Sequence, residues 1–120
     1  MCSSDLTTLV PHDMCHVVAG YGATPEGEIS LGAMKLAVSD DEYHWFEFLG
    51  NLAIHEACIF NALGYDQAEP TLARPGAIEM MVGAMNRGRA TARDFSRADF
   101  LGMLDWRLDD VREEFGVAPL

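Results

Sequence analysis

The chain has 120 residues and a net charge of −11, with 49% apolar and 22% charged side chains. This length and composition are typical of one folded domain with a real core and argue against disorder. The acidic charge argues against general nucleic-acid binding, because a phosphate backbone needs a basic surface. Residues 1–86 carry 2 basic and 12 acidic side chains, and residues 87–120 carry 6 and 7. The run from Arg87 to Arg97 is therefore the only basic stretch, and we interpret it as an exposed helix face.

Cysteine usage and hydropathy indicate an intracellular protein. The three cysteines are odd in number and have no paired spacing, which favours buried thiols in a reducing compartment over a disulfide framework. The sequence has no apolar run of about 18 residues, the length that predicts a membrane span, and no signal-peptide pattern.

Apolar periodicity predicts two helices in the first third of the chain. Pro11 suits the first turn of a helix that ends at Gly20. Thr24 and Pro25 are typical of a helix start, since threonine caps the first turn and proline fits its first position. This second helix extends to about Ser39 and is expected to be mostly buried.

Three further helices are expected, and no strand. The third begins at residues 40–42 and ends at about Leu63, with Gly64 as its stop. Its many bulky residues predict that it is buried on most sides or faces a lipid-like ligand. The fourth runs from about Gly76 to Ala92, and the fifth from about Ser96 or Arg97 to Phe115. The sequence therefore predicts an all-α fold of about five helices.

The beginning of the chain is expected to be unnatural. The first six residues, MCSSDL, match the translation of a common sequencing-adapter end. We therefore expect residues 1–6 to be artefactual and the natural N-terminal part to be missing. On this interpretation, residues 1–120 form a single helical domain that is the C-terminal portion of a larger helical fold.

The segment from His12 to Glu28, HDMCHVVAGYGATPEGE, carries the candidate chemistry. His12 and His16 are four residues apart and would point the same way on a helix, with Asp13 about a quarter-turn aside. The break at residues 20–22 lets the chain reverse, so that Glu28 can return to the same face from the next helix. Imidazole nitrogens and a carboxylate are a common ligand set for zinc and similar divalent ions.

Other metal motifs fit this segment less well. A zincin protease needs glutamate rather than Asp13 after the first histidine, and a di-iron bundle needs two Glu-x-x-His motifs, which the sequence lacks. An HD-type phosphohydrolase needs further ligands, for which His44 and His55 are weak candidates, better interpreted as ordinary residues of the third helix. Cys15 is expected to face away from His12 and to be a packing residue.

The stretch from His12 to Ala37 resembles the signature of the Coq-four family of ubiquinone-biosynthesis proteins. That signature is H-D-x-x-H, eleven residues and then E, followed by an alanine- and leucine-rich helix. The matching residues are His12, Asp13, His16, Glu28, the turn at 20–22 and the pair Gly27–Glu28. Weaker similarities continue to the end of the chain, at Arg87–Gly88, Trp106, Val111–Arg112 and residues 115–117.

The resemblance implies an all-helical protein that binds a divalent ion, usually taken as zinc, beside a hydrophobic channel for polyprenyl lipids. Such proteins act in coenzyme Q synthesis. They remove the ring carboxylate of a polyprenylated 4-hydroxybenzoate precursor, in an oxidative or a non-oxidative decarboxylation. The implied direct ligands are His12, His16 and Glu28, with Asp13 as a fourth ligand or a partner that orients a histidine. These residues would act in catalysis through the metal. Family members are longer, with additional helices ahead of the motif.

The resemblance also implies partners and a location. The partners are an isoprenoid lipid or quinone precursor, other ubiquinone-biosynthesis proteins and a second copy of the chain in a homodimer. The location is a peripheral position on an inner membrane, either at the bacterial cytoplasmic face or at the mitochondrial matrix face. Three hypotheses follow. The first is a metal-dependent lyase, the second a non-catalytic lipid-binding scaffold that organises the biosynthetic complex, and the third an unrelated metal hydrolase.

Overall fold

Five α-helices and three short 3-10 helices make up the regular structure of the chain where it is described. The computed structural model describes residues 3–39, 41–64 and 67–120. The α-helices are α1 (Ser3–Ala19), α2 (Pro25–Ser39), α3 (Glu42–Glu56), α4 (Ala77–Ala90) and α5 (Leu108–Phe115). The 3-10 helices cover Ile59–Leu63, Thr71–Ala73 and Phe100–Met103. No strand occurs in the described ranges, which confirms the predicted all-α fold.

The turn between α1 and α2 follows the local sequence. Gly20 ends α1 with a φ of +87°, in the left-handed region that glycine adopts without strain. The Thr24 hydroxyl accepts a hydrogen bond of 3.1 Å from the Gly27 N–H, so threonine caps α2 as predicted. The predicted start of the first helix at Pro11 is wrong, because α1 already begins at Ser3 and contains Pro11 in its interior. Proline at such a position removes one backbone hydrogen bond, and its ring crowds the carbonyl of the preceding turn, at a cost of about 3 kcal/mol.

Two predicted helices are shorter in the structure. The third ends at Glu56, because Cys58 adopts a φ of +53° that an α-helix cannot continue through. A 3-10 helix follows and ends at Gly64, whose φ is +87°. The predicted helix over residues 96–115 is broken into a 3-10 helix and α5. Residue 40, at the predicted start of the third helix, and residues 1 and 2 of the expected artefactual start lie outside the described residues.

The central element is α2, which packs mainly against α4 and also against α3. Its two faces enter two apolar clusters. Leu31 and Met34 join residues of α1, α5 and the segment between α4 and α5, including the fully buried Phe95. The opposite face packs against α3 and α4, and its cluster consists of Ile29, Ala33, Leu36 and Phe48. Because α2 carries Glu28 at its start, this double packing fixes the position of that carboxylate.

The expectation that the third helix is buried on most sides is wrong. Only its inner face is buried, through His44, Phe48 and His55. The outer face is exposed and mostly apolar, and we call it the α3 stripe; it consists of Tyr43, Phe46, Leu49, Gly50, Ala53 and Ile54. Phe46 is the most exposed large apolar residue of the stripe, at 82%. None of the helices in the described ranges is long and apolar enough to cross a membrane.

Candidate metal centre

Three of the four predicted ligands meet at one point between α1 and α2. The Nε2 atoms of His12 and His16 lie 3.1 Å apart. The carboxylate of Glu28 approaches both, with Oε2 at 3.2 Å from His12 Nε2 and Oε1 at 3.1 Å from His16 Nε2. These three side chains, here called the ligand triad, are the one group in the described part of the chain whose donor atoms converge in a way that could hold a metal ion.

Each ligand is placed by an element that the local sequence specifies. His12 and His16 are one helical turn apart on α1, as their spacing predicts. The turn then brings Glu28 back to them, and it depends on a close backbone approach. A Cβ atom on Gly27 would lie only 1.9 Å from the carbonyl oxygen of Gly22. Glycine at position 27 is therefore required for the path that delivers Glu28 to the two histidines.

The tautomer of His16 is set by the turn. Its Nδ1 lies 2.9 Å from the backbone carbonyl oxygen of Tyr21. A carbonyl only accepts hydrogen bonds, so Nδ1 must carry the proton and donate it. In the neutral ring, Nε2 then presents its lone pair to the triad. A backbone carbonyl that fixes a histidine in this way is typical of metal-ligating imidazoles.

This tautomer leaves an excess of electron pairs in the triad. His12 Nε2 can donate one proton, either to His16 Nε2 or to Glu28. In either case His16 Nε2 and Glu28 Oε1 still face each other across 3.1 Å. That contact is favourable only when a proton or a metal cation lies there, since two acceptors repel. The triad is therefore a site that attracts a cation.

The spacing of the triad also fits a transition-metal ion. Zinc binds imidazole and carboxylate donors at about 2.0–2.2 Å in tetrahedral geometry, which places neighbouring donor atoms about 3.3–3.6 Å apart. The two Nε2 atoms lie 3.1 Å apart, and each has a different Glu28 oxygen at 3.1 or 3.2 Å, so these pairs are slightly closer than the donors of a zinc site. Two histidines and one carboxylate also form a donor set that suits borderline divalent ions. The residues present therefore fit the predicted divalent metal.

The charge state of Glu28 is consistent with a ligand role. Burial acts to raise the pKa of Glu28, but the hydrogen bond from His12 and the positive charges that His16 and His12 carry when they are protonated outweigh it. The net effect lowers the pKa of Glu28 below its ordinary value. The carboxylate is thus held in its ionised form, the form in which it binds a cation.

A cavity of about 810 Å³ opens beside the triad, and it reaches from α1 to the segment after α4. Its lining includes His12 and Glu28 of the triad. Tyr43, His44 and Arg97 also line it. The Nζ of Lys35, a buried residue, lies on this wall 2.7 Å from Oε1 of Glu47. Most of the residues that line the cavity carry polar or charged side chains.

The remaining candidates lie outside the triad. Asp13 is exposed and is not part of the group. Cys15 does not face away from the site, because it lines the same cavity as His12. Burial raises the pKa of the Cys15 thiol to about 11, so this thiol stays protonated and packs, as predicted. His55 is buried on α3 and does not line the cavity, and burial lowers its pKa.

His44, which the sequence analysis interpreted as an ordinary residue of the third helix, lies on the wall of the cavity. His44 is 2% exposed, lines the cavity and has its Nδ1 2.7 Å from Oδ1 of Asp41. The signal in the sequence was an aspartate at a helix N-cap three residues before a histidine, a spacing that brings both side chains onto the first turn.

Three comparisons with known proteins complete the description of the site. A scan against models of protein families, a search of curated proteins and a search of solved structures each found no match for this chain.

Proposed function

We propose that this chain is a divalent-metal protein of ubiquinone biosynthesis that removes the ring carboxylate of a polyprenylated 4-hydroxybenzoate precursor. The observation that carries the proposal is the convergence of His12, His16 and Glu28, whose donor atoms lie 3.1 to 3.2 Å apart. The resemblance of residues 12–37 to the Coq-four family connects this donor set with a pathway and a substrate.

The ligand count supports a catalytic centre over a purely structural one. Structural zinc sites are usually closed by four protein ligands, whereas catalytic sites have three and keep a position for substrate. The triad supplies three, and the cavity lies next to two of them, His12 and Glu28. When bound, Zn²⁺ supplies a Lewis acid that stabilises negative charge on a substrate oxygen.

Cationic side chains in the cavity favour an anionic substrate. Lys35 and Arg97 both line it, in a chain whose net charge is −11. Each is already matched with one carboxylate, Lys35 with Glu47 and Arg97 with Asp41. Their N–H groups beyond those used in the ion pairs can orient a substrate carboxylate in the partly desolvated cavity.

The α3 stripe supports the binding of a substrate that carries a lipid tail. Tyr43 lines the cavity and also begins the stripe, so a tail that leaves the cavity beside Tyr43 would lie on apolar surface. Each buried CH₂ group contributes about 0.8 kcal/mol, which makes a polyprenyl chain a strong anchor. The same surface supports peripheral binding to an inner membrane, where such lipids and the other biosynthetic proteins are found.

The decisive experiment measures metal and turnover in the same preparations. Zn²⁺ affinity is measured by calorimetry, and turnover as release of labelled CO₂ from a 4-hydroxybenzoate that carries a short prenyl chain and a labelled carboxylate. We expect His16→Ala and Glu28→Gln each to weaken Zn²⁺ binding by at least about 100-fold and to abolish CO₂ release. Glu79→Gln removes an exposed carboxylate of α4 and serves as the matched control.

Two results would decide against this proposal. Metal-free protein that turns over at the normal rate would remove the metal from catalysis. Equal Zn²⁺ affinity of wild type and His16→Ala would remove the triad as its site. An additional variant, Asp13→Asn, tests the fourth ligand, since only a ligand or orienting role predicts weaker metal binding for this exposed residue.

The α3 stripe specifically favours an alternative function, a non-catalytic lipid-binding scaffold in which the metal only joins α1 to α2. A cell that lacks ubiquinone synthesis separates the two functions. If the chain supports ubiquinone synthesis in such a cell, the scaffold predicts that a folded His16→Ala variant still does so. The enzyme predicts that this variant fails while Phe46→Ser, with its intact triad, retains CO₂ release in vitro.

A further inference from the structure

The Asp41–His44 pair is the second organised group of the cavity. Asp41 is the N-cap of α3, and its Oδ1 accepts a hydrogen bond of 2.9 Å from the His44 N–H. The same oxygen lies 2.7 Å from His44 Nδ1. The imidazole is thus held both through its backbone and through its ring, and it is 2% exposed on the wall of the cavity.

The pair presents a proton acceptor to the cavity. The hydrogen bond from the His44 N–H, together with the His44 ring and the charge of Arg97, lowers the pKa of Asp41 despite its desolvation. Its ionised carboxylate only accepts hydrogen bonds, so Nδ1 is the protonated nitrogen of the neutral ring. The lone pair then lies on Nε2. Arg97 donates to the other carboxylate oxygen of Asp41 at 2.6 Å and keeps it from rotating away.

Other titratable groups on this wall do not offer a base. Lys35 and Arg97 are hydrogen-bond donors, and Glu47 is engaged by Lys35 at 2.7 Å. The thiol of Cys15 has its pKa raised to about 11 by burial and stays protonated. Among these groups, His44 is therefore the best suited to take a proton from a ligand.

We propose that His44 is a substrate-contacting base of this cavity, which accepts the proton of an acidic, phenol-type hydroxyl through Nε2, and that Asp41 is its positioning residue. In this step the ligand O–H bond breaks, its electron pair stays on the oxygen as a phenolate, and the proton bonds to Nε2. The Asp41 carboxylate balances the imidazolium that forms. This inference deepens the proposed function and rests on it for the identity of the natural ligand. Its test requires neither metal nor turnover.

The test uses 4-nitrophenol, whose phenolate absorbs at a longer wavelength than the neutral phenol. Metal-free protein is titrated into the probe at a pH where the free probe is mostly neutral. We expect wild type to produce a saturable phenolate band, and His44→Gln to lose most of it, since only the triad then remains as a proton acceptor in the cavity. Asp41→Asn should give a weaker band than wild type, because an amide does not stabilise the imidazolium.

Two controls separate the base from a packing residue. The probe 4-nitroanisole has no acidic proton, so its affinity should be the same for wild type and His44→Gln. The variant His55→Gln replaces another buried histidine of α3 that does not line the cavity, and it should keep the phenolate band. If His44→Gln does not fold, Asp41→Asn carries the same comparison.

The proposal is overturned if wild type does not ionise the probe, or if His44→Gln keeps the full phenolate band. It is also overturned if 4-nitroanisole loses as much affinity as 4-nitrophenol, since that pattern indicates packing alone. Failure of the metal-dependent function would appear separately, as absent Zn²⁺ binding or absent CO₂ release, with the phenolate band unaffected.

Discussion

At the scale of one residue, the imidazole of His16 is held by two neighbours, the ring of His12 and the carbonyl of Tyr21. Its spacing from His12 placed both rings on one face of α1, and the structure brings their Nε2 atoms to 3.1 Å. The protonation state of the ring could not be read from spacing. It depends on the carbonyl of Tyr21, which the turn carries to within 2.9 Å of Nδ1. Helical periodicity predicts directions, whereas tautomers depend on the partners that a turn supplies.

The ion pair between Glu26 and Arg74 predicts a pH-dependent stability. Arg74 Nη1 lies 2.8 Å from Glu26 Oε1, and this hydrogen bond is the main reason why the pKa of Glu26 is lowered. Because the pKa of Glu26 is lower in the folded state, the ion pair stabilises the folded protein fully above about pH 4.3, the pKa of a glutamate in an unfolded chain. This stabilisation is lost as the pH falls through the lower, folded-state pKa of Glu26. We expect Glu26→Gln to be less stable than wild type at neutral pH.

Denaturant unfolding over a pH series measures this effect. The difference in free energy of unfolding between wild type and Glu26→Gln should shrink as the solution is acidified. Glu113→Gln, a change at an exposed position of α5, should show no such trend. A difference for Glu26→Gln that is constant from acid to neutral pH would contradict the assigned ion pair.

At the scale of elements, local signals located helix ends well where glycine or threonine set them. Gly20 and Thr24 act in the structure as predicted, whereas Gly64 follows a 3-10 helix and not α3. The predicted fifth helix failed because side chains compete with the helical backbone. Inside the predicted segment, the carboxylate of Asp99 accepts a hydrogen bond from the Gly102 N–H and caps the 3-10 helix Phe100–Met103. Such local bonds favour turns, and apolar periodicity does not register them.

The crossing of α2 and α4 makes a prediction at this scale. A Cβ atom on Gly88 would lie 2.4 Å from the carbonyl oxygen of Met34 and 2.8 Å from the Cβ of Ala37. Gly88→Ala should therefore force the two helices apart and lower the free energy of unfolding by about 1–3 kcal/mol. Thermal and denaturant unfolding measure the loss.

Gly83 provides the matched control on the same helix. A Cβ atom there meets nothing within 4 Å, so Gly83→Ala should stabilise the protein by about 0.5–1 kcal/mol through helix propensity. Equal effects of the two substitutions would show that helix propensity, and not the close crossing, determines the role of Gly88.

At the scale of the whole molecule, an acidic protein exposes an apolar stripe. The bulky side chains of α3 were evident from the sequence, but which of its faces is buried was not, because the buried face includes the polar residues His44 and His55. The α3 stripe supports binding to a lipid surface, while the net charge of −11 opposes binding to anionic lipids. We therefore expect the protein to bind zwitterionic vesicles and to be released as anionic lipid is added, with salt reducing the release.

Vesicle sedimentation tests the stripe directly. The double variant Phe46→Ser/Leu49→Ser replaces residues that are 82% and 55% exposed, and it should bind phosphatidylcholine vesicles at least about tenfold more weakly. Ile78→Ser removes an apolar side chain of similar exposure, 50%, from α4 and should have little effect. Equal losses for the two proteins would indicate general apolar exposure instead of one binding face.

The closeness of the three ligands along the chain has a consequence for folding kinetics. Only 16 positions separate His12 from Glu28, whereas the packing of α2 against α4 joins segments much farther apart in sequence. Short loops close at low entropic cost, and local contacts form before distant ones. A cation captured by α1 and α2 would thus act in the folding nucleus. Zn²⁺ should accelerate refolding, and not only slow unfolding.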